Sequence, residues 1–416
     1  MKATISDYEL YLYFSYLPKF SEASLQWLNC DFENDFGKGV DKEAWWVSEG
    51  VKAFKETMKA EIASTNVNAT HILPLSGGLD SRAILGGLLE NLPKSQIVAA
   101  TYGIPGTWDL EIAQTITREF GIRHEVFNLQ DEKWEIDQLL ASATRLKNPV
   151  SVHQSHVRQK INNHFGSDCV YWSGLMGDSL AGSDLPKTPS QDKTEAVRRH
   201  INLYPTHHYK DQIFQEKIIT KAVSECSWDR IKQTKYTLDQ QLDFGVRQRL
   251  LTQQIVLFNG FIFKTPFLSS LWTNFISNVP CQWFQDKHLY KRVIRESFQE
   301  LWKLPSGSTF GRPISASKFE IFLGRVIAKL KPYIVPKDPY RSHPRTNYIN
   351  WTESLRHKGN LQSSVRETLE SLKHRAIFRN AELDTWWLDH LNRKKDYTVL
   401  LMNLSSLELL LQAGKF

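Results

Sequence analysis

The stretch that decides the fold reads Ile72-Leu73-Pro74-Leu75-Ser76-Gly77-Gly78-Leu79-Asp80-Ser81-Arg82. An apolar run ends in two glycines and a helical apolar pattern begins at once, which predicts a strand, a tight loop and a helix N-terminus. Glycines let the backbone approach a ligand closely, and the positive end of the helix dipole favours negative charge. Ser76 and Ser81 add hydroxyl groups, and Asp80 could hold Mg²⁺ against phosphate oxygens. Because the loop lacks the G-x-x-x-x-G-K-S/T pattern of a Walker A motif, we interpret it as a phosphate cradle of another kind.

Strands and helices alternate after this loop. Apolar runs and helical periodicity predict strands at 97–103, 124–129 and 169–174, and helices at 109–120 and 157–165. This alternation predicts an α/β fold with a doubly wound parallel sheet. Ligands of such sheets bind beyond the carboxyl ends of the strands, where the loop 76–81, Tyr102-Gly103 and the segment 173–182 are expected.

The segments on either side of the predicted sheet are expected to be mainly helical. An aromatic-rich arm precedes an amphipathic helix that runs from Trp45-Trp46 through Ile62 into the first strand. The polar stretch 184–211 predicts a surface loop, and the proline-rich, basic stretch 331–350 predicts a connector. No further strand is expected, so the C-terminal half should be mostly helical. We divide the chain into an N-terminal arm (1–50), a central sheet domain (51–330) and a helical C-terminal extension (331–416).

The composition is that of an ordinary globular protein. Of the 416 residues, 41% are hydrophobic and 23% are charged. The four cysteines are far apart, which argues against a zinc site or a disulfide framework and fits a reducing cytoplasm. Asn259 and Lys264 interrupt the most apolar long stretch, so we expect no transmembrane span. The net charge of +7 allows nucleic acid, an anionic membrane or a polyanion such as ATP as a partner, although most of these lysines should simply be solvated.

Several motifs are similar to those of one enzyme family. Residues 76–81 match the Ser-Gly-Gly-x-Asp-Ser loop of the N-type ATP pyrophosphatases. Ser173-Gly174 with Gly177-Asp178 is similar to a second signature, Ser-Gly-Glu/Asp-Gly-x-Asp-Glu-Leu-x-Gly-Gly. Residues 265–268 are similar to the segment Arg-x-Pro-Phe-Leu-Asp, and Trp45-Trp46 to a double tryptophan. On these motifs the chain resembles the synthetase half of the asparagine synthetase family, with its PP-loop fold of the adenine nucleotide α-hydrolase type and its β-lactam synthetase and lasso-peptide cyclase relatives.

The resemblance implies a carbon–nitrogen ligase that uses ATP and Mg²⁺. A substrate carboxylate would attack the α-phosphorus of ATP, pyrophosphate would leave, and ammonia or an amine would then displace AMP. Backbone N–H groups and Mg²⁺ would stabilise charge on the phosphate oxygens, with Asp80 and Asp178 as metal ligands. The acid is expected to be a small molecule or to be linked to a carrier, in specialised or surface-polysaccharide biosynthesis. By resemblance and position, the ATP-binding residues are Leu75, Ser76, Gly77, Gly78, Asp80, Ser81, Tyr102, Gly103, Ser173 and Gly174.

The sequence departs from the family pattern where the nucleophile should be activated. Leu175 stands where the family has a catalytic carboxylate, and Ser179 where it has a glutamate. A leucine cannot accept a proton from an incoming amine, so another group serves as base, the nucleophile arrives deprotonated, or the second half-reaction has changed. The spacing after the Leu-Pro segment is shifted as well, which leaves Arg312 and Lys318 as candidates for the family's pyrophosphate-neutralising lysine.

The N-terminus and the histidines add two expectations. Position 2 is lysine, whereas the family's glutaminase half has a cysteine there, so we expect no glutaminase domain. Ammonia would then come from solution or from a separate glutaminase, or the nucleophile would be an amine on a substrate. His153-x-x-His156 and His207-His208 could bind a metal ion, but no third ligand is evident nearby.

Two other functions stay open on the sequence. An RNA-modifying PP-loop enzyme is allowed by the basic charge, but Trp45-Trp46, the Pro-Phe-Leu segment and the lack of C-x-x-C argue against it and against a nucleic-acid partner. A catalytically lapsed ATP-binding or scaffold homologue is favoured by Leu175 and Ser179.

Overall fold

A five-stranded parallel sheet lies at the centre of the computed structural model, which describes residues 5–31, 35–183, 186, 188–203, 212–226, 228, 236–334 and 348–416. The strands are β1 (His71–Pro74), β2 (Ile97–Gly103), β3 (Arg123–Asn128), β4 (Val170–Trp172) and β5 (Ile262–Lys264). Their order is β3-β2-β1-β4-β5, and each neighbouring pair is parallel. The prediction of an α/β fold with a parallel sheet is confirmed.

Helices make up most of the remaining described chain. The α-helices are α1 (Ile5–Phe14), α2 (Glu43–Ala63), α3 (Leu79–Asn91), α4 (Trp108–Phe120), α5 (Ile136–Thr144), α6 (Val152–Phe165), α7 (Gly177–Leu180), α8 (Lys193–Leu203), α9 (Gln212–Glu225), α10 (Leu238–Leu242), α11 (Gln253–Val256), α12 (Ser270–Ile276), α13 (His288–Ser297), α14 (Gln299–Trp302), α15 (Lys318–Ile334), α16 (Trp351–Arg356), α17 (Asn360–His374), α18 (Asn380–Leu391) and α19 (Thr398–Gln412). A π-helix, Asp243–Thr252, joins α10 to α11. Within the described residues, no helix combines the length and apolarity needed to cross a bilayer, as the sequence predicts.

Both faces of the sheet are covered. Successive residues of a strand point to opposite faces, so a strand covered on both sides is apolar throughout. Ile72 and Val98 pack with Ile161 of α6 on one face, whereas Leu73 and Ala99 join the main core on the other. This packing explains why β1 and β2 are recognisable as short continuous apolar runs.

The strand order brings the ends of β1 and β4 together. β1 pairs with β2 on one side and with β4 on the other, and His71 lies opposite both Ile97 and Val170. β2 and β3 lie on one side of β1, whereas β4 and β5 lie on its other side. The loops after β1 and β4 therefore leave the sheet side by side. Ligands of open parallel sheets bind in the crevice at such a point.

The N-terminal segments pack against distant parts of the chain. In α2, which the sequence predicts, Trp46, Phe54 and Met58 are buried. The arm forms α1, and its Tyr11 ring lies edge-on to Phe416, with 5.4 Å between the ring centroids. One hydrophobic cluster includes side chains of the arm, the sheet and α19. The division of the chain into three units stays a prediction.

Several predicted boundaries are wrong. β5 lies where no strand is expected, and α6 begins earlier than residue 157. Part of the predicted loop 184–211 is the helix α8, while residues 184, 185, 187 and 204–211 lie outside the described part of the chain. α15 continues to Ile334 and so includes the start of the predicted connector, of which residues 335–347 lie outside the described part.

Candidate functional site

The loop between β1 and α3 folds over the start of the helix. Gly78 precedes α3 in extended backbone, and Asp80 lies in the first turn. The Ser76 hydroxyl accepts a hydrogen bond from the Gly78 N–H (3.2 Å), and the Ser76 N–H donates to Ser81 Oγ (3.3 Å). The first N–H groups of a helix have no partner within the helix, so this loop offers donors to an anion.

Asp109 ties this loop to the end of β2. It lies in the first turn of α4, and its Oδ1 accepts a hydrogen bond from the Gly77 N–H (2.9 Å). Burial raises the pKa of Asp109 to about 6, while the bond from Gly77 and the Arg158 charge act in the opposite direction. The loop is therefore fixed by a carboxyl group that is itself sensitive to pH.

Asp80 connects the loop after β1 to α7 and α13. Its Oδ2 accepts a hydrogen bond from the Asp178 N–H (3.0 Å), and its Oδ1 accepts one from the Tyr290 hydroxyl (2.7 Å). Burial and the neighbouring Asp178 charge raise the pKa of Asp80 to about 7, while the two hydrogen bonds and the Lys287 charge act in the opposite direction. Two carboxyl groups from different strand ends thus lie together at one edge of the sheet.

Two glycines allow Asp80 to lie close to the backbone that follows β4. A Cβ atom at Gly177 would lie 2.5 Å from Asp80 Cγ and 2.7 Å from its Oδ2. A Cβ atom at Gly174 would lie 2.9 Å from Asp80 Cβ. Any side chain at these positions would displace Asp80, which gives a physical reason for the glycines after β4.

Lys287 supplies a positive charge next to the two carboxyl groups. Its Nζ lies 2.7 Å from Asp178 Oδ1, and the lysine is one quarter exposed. Asp286 and Lys287 both have left-handed backbone, with φ of 54° and 58°. Non-glycine residues adopt this conformation rarely, so the turn before α13 holds the lysine in place at some cost in strain.

The segment after α14 closes against the same loop. The Ser306 hydroxyl donates to the Gly77 carbonyl oxygen (3.0 Å). The buried Arg82 guanidinium of α3 donates to the carbonyl oxygens of Leu301 (3.0 Å), Leu304 (3.1 Å) and Pro305 (2.5 Å), and burial lowers its pKa to about 10. Hydrogen bonds of Ser306 and Arg82 thus hold the loop and the start of α3 against this segment.

A cavity of about 350 Å³ opens at the ends of β1, β2 and β4. Three carboxyl groups line it, and we call them the acidic lining: Asp80, Asp109 and Asp178. The loop after β4, the end of α11 and β5 contribute the apolar lining: Leu175, Met176, Val256, Phe258 and Phe263. Arg158 also lines the cavity, with its guanidinium 5.9 Å from the centre of the Tyr102 ring. Apolar walls with a few converging polar groups are typical of small-molecule sites.

Most of the predicted ligand-binding residues come together here. Those that line the cavity are Leu75, Ser76, Asp80, Ser81, Tyr102, Ser173, Gly174 and Asp178. Gly77 and Gly78 lie in the loop without lining it. Gly103 lies next to Tyr348, whose carbonyl oxygen accepts a hydrogen bond from the Ile104 N–H (2.9 Å) and would lie 3.4 Å from a Cβ atom at Gly103.

The two predicted catalytic cations lie away from the cavity lining. Arg312 follows the Ser306 turn, and its carbonyl oxygen accepts a hydrogen bond from the Ser306 N–H (3.0 Å). Lys318 is the exposed first residue of α15. Leu175 is buried and lines the cavity, as does Ser179, so both departures from the family pattern face the site. The roles of Arg312 and Lys318 stay predictions.

Sequence analysis assigns no role to three side chains that complete the site. Tyr290 contacts a carboxyl group 210 residues away, and Lys287 contacts one 109 residues away. Ser306 contacts the loop across 229 residues. No spacing in the sequence indicates any of these contacts.

The predicted histidine pair His153 and His156 has hydroxyl partners. His153 Nδ1 lies 3.1 Å from Ser406 Oγ, and His156 Nδ1 lies 2.9 Å from Ser142 Oγ. No group of three or more histidine, cysteine or acidic side chains suited to a metal ion occurs among the described residues. His207-His208 lies outside them.

No protein-family model matches the chain, and no curated protein is significantly similar to it. The resemblance to the asparagine synthetase family therefore rests on the quoted motifs alone.

Proposed function

We propose that the chain is an ATP-dependent amide ligase that forms AMP and pyrophosphate, of the asparagine synthetase type. The observation that carries the proposal is the contact between Asp80 and Asp178 at the adjacent ends of β1 and β4, beside the glycine loop and facing the cavity. A doubly wound PP-loop fold and a cytoplasmic location, where ATP is available, are parts of the same proposal. The strand order, with β1 between β2 and β4, supports that fold.

The residues present fit Mg²⁺. Asp80 and Asp178 offer hard oxygen donors, and each Asp80 oxygen accepts a single hydrogen bond, which leaves a lone pair for a cation. A divalent cation would also relieve the repulsion that raises the pKa of Asp80. Mg²⁺ is commonly bound by one or two carboxylates together with substrate phosphates, and when bound it would neutralise charge on the phosphate oxygens.

The chain's own groups would hold the polyphosphate and exclude water. The N–H groups at the start of α3 and the hydroxyls of Ser76 and Ser81 would donate to phosphate oxygens. A carboxylate oxygen of the substrate would form a bond to the α-phosphorus as the bond to the β-phosphate oxygen breaks, and pyrophosphate would leave. An amine nitrogen would then bond to the acyl carbon, AMP would leave with the electron pair of the broken C–O bond, and the amine would lose a proton.

A second function is favoured by one residue. Leu175 faces the cavity where the family has a carboxylate, so the chain could bind a nucleotide without completing amide formation. This alternative keeps the acidic lining and the loop but removes the second half-reaction.

The test is release of pyrophosphate by the purified full chain with Mg²⁺ and ATP. A library of carboxylates is supplied with ammonium, glutamine or amine donors. We expect one acid to stimulate pyrophosphate and AMP formation in equal amounts. Binding of ATP without release for any acid would favour the nucleotide-binding alternative, and formation of ADP would contradict both. Use of glutamine by the chain alone would contradict the expected lack of a glutaminase.

A further inference from the structure

Helix α15 turns an apolar face towards solvent. Phe319, Phe322, Ile327 and Leu330 are 69%, 57%, 53% and 50% exposed, and Leu323 is 39% exposed. Their spacing of three and four residues places them on one side of the helix. A contiguous group of large exposed apolar side chains marks an interaction surface in a folded protein.

The opposite side of α15 is the one that packs on the protein. Between Lys318 and Leu330, only Gly324 and Ala328 are buried. The Cβ position of Gly324 lies 3.0 Å from Arg312 Cγ and 3.2 Å from the Phe310 carbonyl oxygen. The helix therefore rests closely on the segment before it through its small residues. In a helix that stabilises a core, the large apolar residues face the protein, whereas in α15 they face solvent.

Positive charges border the apolar face. Lys318, Arg325 and Lys329 are spaced by seven and four residues and so share one edge of the helix. The Arg325 guanidinium lies 5.1 Å from the centre of the Phe310 ring and is exposed. Glu320, on another side, accepts hydrogen bonds from the N–H and the hydroxyl of Ser317 (2.7 and 2.8 Å). Residues 306–330 contain four basic side chains and one acidic side chain.

We propose that α15 docks on the surface of a bilayer that contains anionic lipids. The apolar face would enter the boundary between headgroups and acyl chains, as interfacial amphipathic helices do. Lysine and arginine stems would lie along the apolar side chains while their charges reach the headgroup phosphates. A second copy of this chain fits less well, because an antiparallel two-fold contact across this face would bring the positive edges of the two helices together. The proposal does not depend on the activity of the cavity.

The experiment is sedimentation of the full chain with vesicles of phosphatidylcholine, with and without phosphatidylglycerol. One variant combines Phe322→Glu and Ile327→Glu, and a second combines Lys318→Gln and Lys329→Gln. A matched control combines Val67→Glu and Leu388→Glu, which change exposed apolar residues (80% and 53%) outside α15. Thermal unfolding of each variant checks that the fold is kept, and light scattering gives its oligomeric state.

We expect the unmodified chain to bind the anionic vesicles and to be released by salt. Removing the two lysines should weaken this binding about tenfold or more, since each basic residue near such a surface adds appreciably to the affinity. The acidic substitutions in α15 should abolish binding, and the control should bind like the unmodified chain. Lack of binding to anionic vesicles would overturn the proposal. An equal loss of vesicle binding in the control would also overturn it. So would the finding that the acidic substitutions in α15 change only the oligomeric state.

Discussion

The acidic lining and the apolar lining face one cavity but differ in what they offer to a reaction. Asp80 is held by the Tyr290 hydroxyl and the Asp178 N–H, and Asp178 in turn contacts Lys287. Leu175 comes from the same loop as Asp178 but presents only methyl groups. The acidic lining thus supplies carboxylate oxygens that could hold a cation, and its neighbours Lys287 and Tyr290 supply a positive charge and a donor, as the proposed phosphoryl chemistry would require. The apolar lining shields the cavity and has no proton acceptor at the expected position.

If the chain has the proposed function, this contrast predicts that the two half-reactions depend on different residues. Substitutions in the acidic lining should affect release of pyrophosphate, whereas substitutions in the apolar lining should affect stability first.

The largest effect is expected for Asp80→Asn. Loss of one carboxylate at the phosphate site should lower pyrophosphate release at least about a hundredfold, by analogy with the loss of one charge-stabilising group in other active sites. The fold should be kept, because the amide is close to isosteric and avoids a buried charge. Pyrophosphate release and thermal unfolding measure the two effects. Asp137→Asn, at an exposed site on α5, is the control. Unchanged turnover in Asp80→Asn would contradict its role.

Gly177→Ala should have the next largest effect and lower pyrophosphate release about ten- to a hundredfold. The new methyl group would lie 2.5 Å from Asp80 Cγ, so the carboxyl group must move, and small displacements of reacting groups have effects of this size. Gly359→Ala is a matched control, because no heavy atom lies nearer to its Cβ position than 4.0 Å. Equal turnover in the two variants would show that the position of Asp80 is not critical.

A smaller effect concerns the dependence of folding stability on pH. In the folded chain, burial raises the pKa of Asp80 to about 7. In the unfolded chain the same carboxyl group already ionises as the pH rises above about 4. The stabilisation from the protonated form is complete below that pH and is lost as the pH rises through about 7. In the presence of a chelator, the melting temperature of Asp80→Asn should therefore rise relative to the unmodified chain between pH 5 and 8, by about a few degrees. A constant difference across this range would contradict the buried carboxyl.

Leu175→Ala should change pyrophosphate release least. Removal of a buried leucine costs about 2 kcal/mol or more of unfolding free energy, and a site beside a cavity belongs at the low end of that range. Pyrophosphate release should remain within about a factor of two, since a leucine side chain offers neither charge nor hydrogen bond to a phosphate group. Urea unfolding and the pyrophosphate assay measure the two quantities. A large loss of pyrophosphate release would show that the apolar lining takes part in the first half-reaction.

The sheet is largely predictable from the sequence. β2 is predicted to the residue, and β1, β3 and β4 to within a few residues. For β1, β2 and β4 the reason is that strands buried on both faces give apolar runs that end at glycines or polar loops, whereas β3 is a partly exposed edge strand. β5 has three residues, and its Ile262 is 53% exposed, so nothing separates it from the apolar stretch around it. Such a short strand is defined by its pairing with β4.

The site is predictable only as far as its motifs extend. Asp80, Asp178 and the glycines lie in recognisable signatures next to strands. Tyr290 and Lys287 reach them because α13 packs against α2, which is a tertiary contact that no local pattern encodes. The inverted amphipathic pattern of α15 is likewise invisible in the sequence, because periodicity reveals an apolar face but not what covers it.

Arg82 has a consequence for how the chain is made. Its three carbonyl partners lie 219 to 223 residues further along, so most of the chain must leave the ribosome before they are present. Until then, seating α3 in its final place would bury a cation without acceptors, which is strongly unfavourable. The loop between β1 and α3 therefore reaches its final structure late in synthesis. A translation product that stops before residue 301 would keep a hydrated arginine and an unfinished loop.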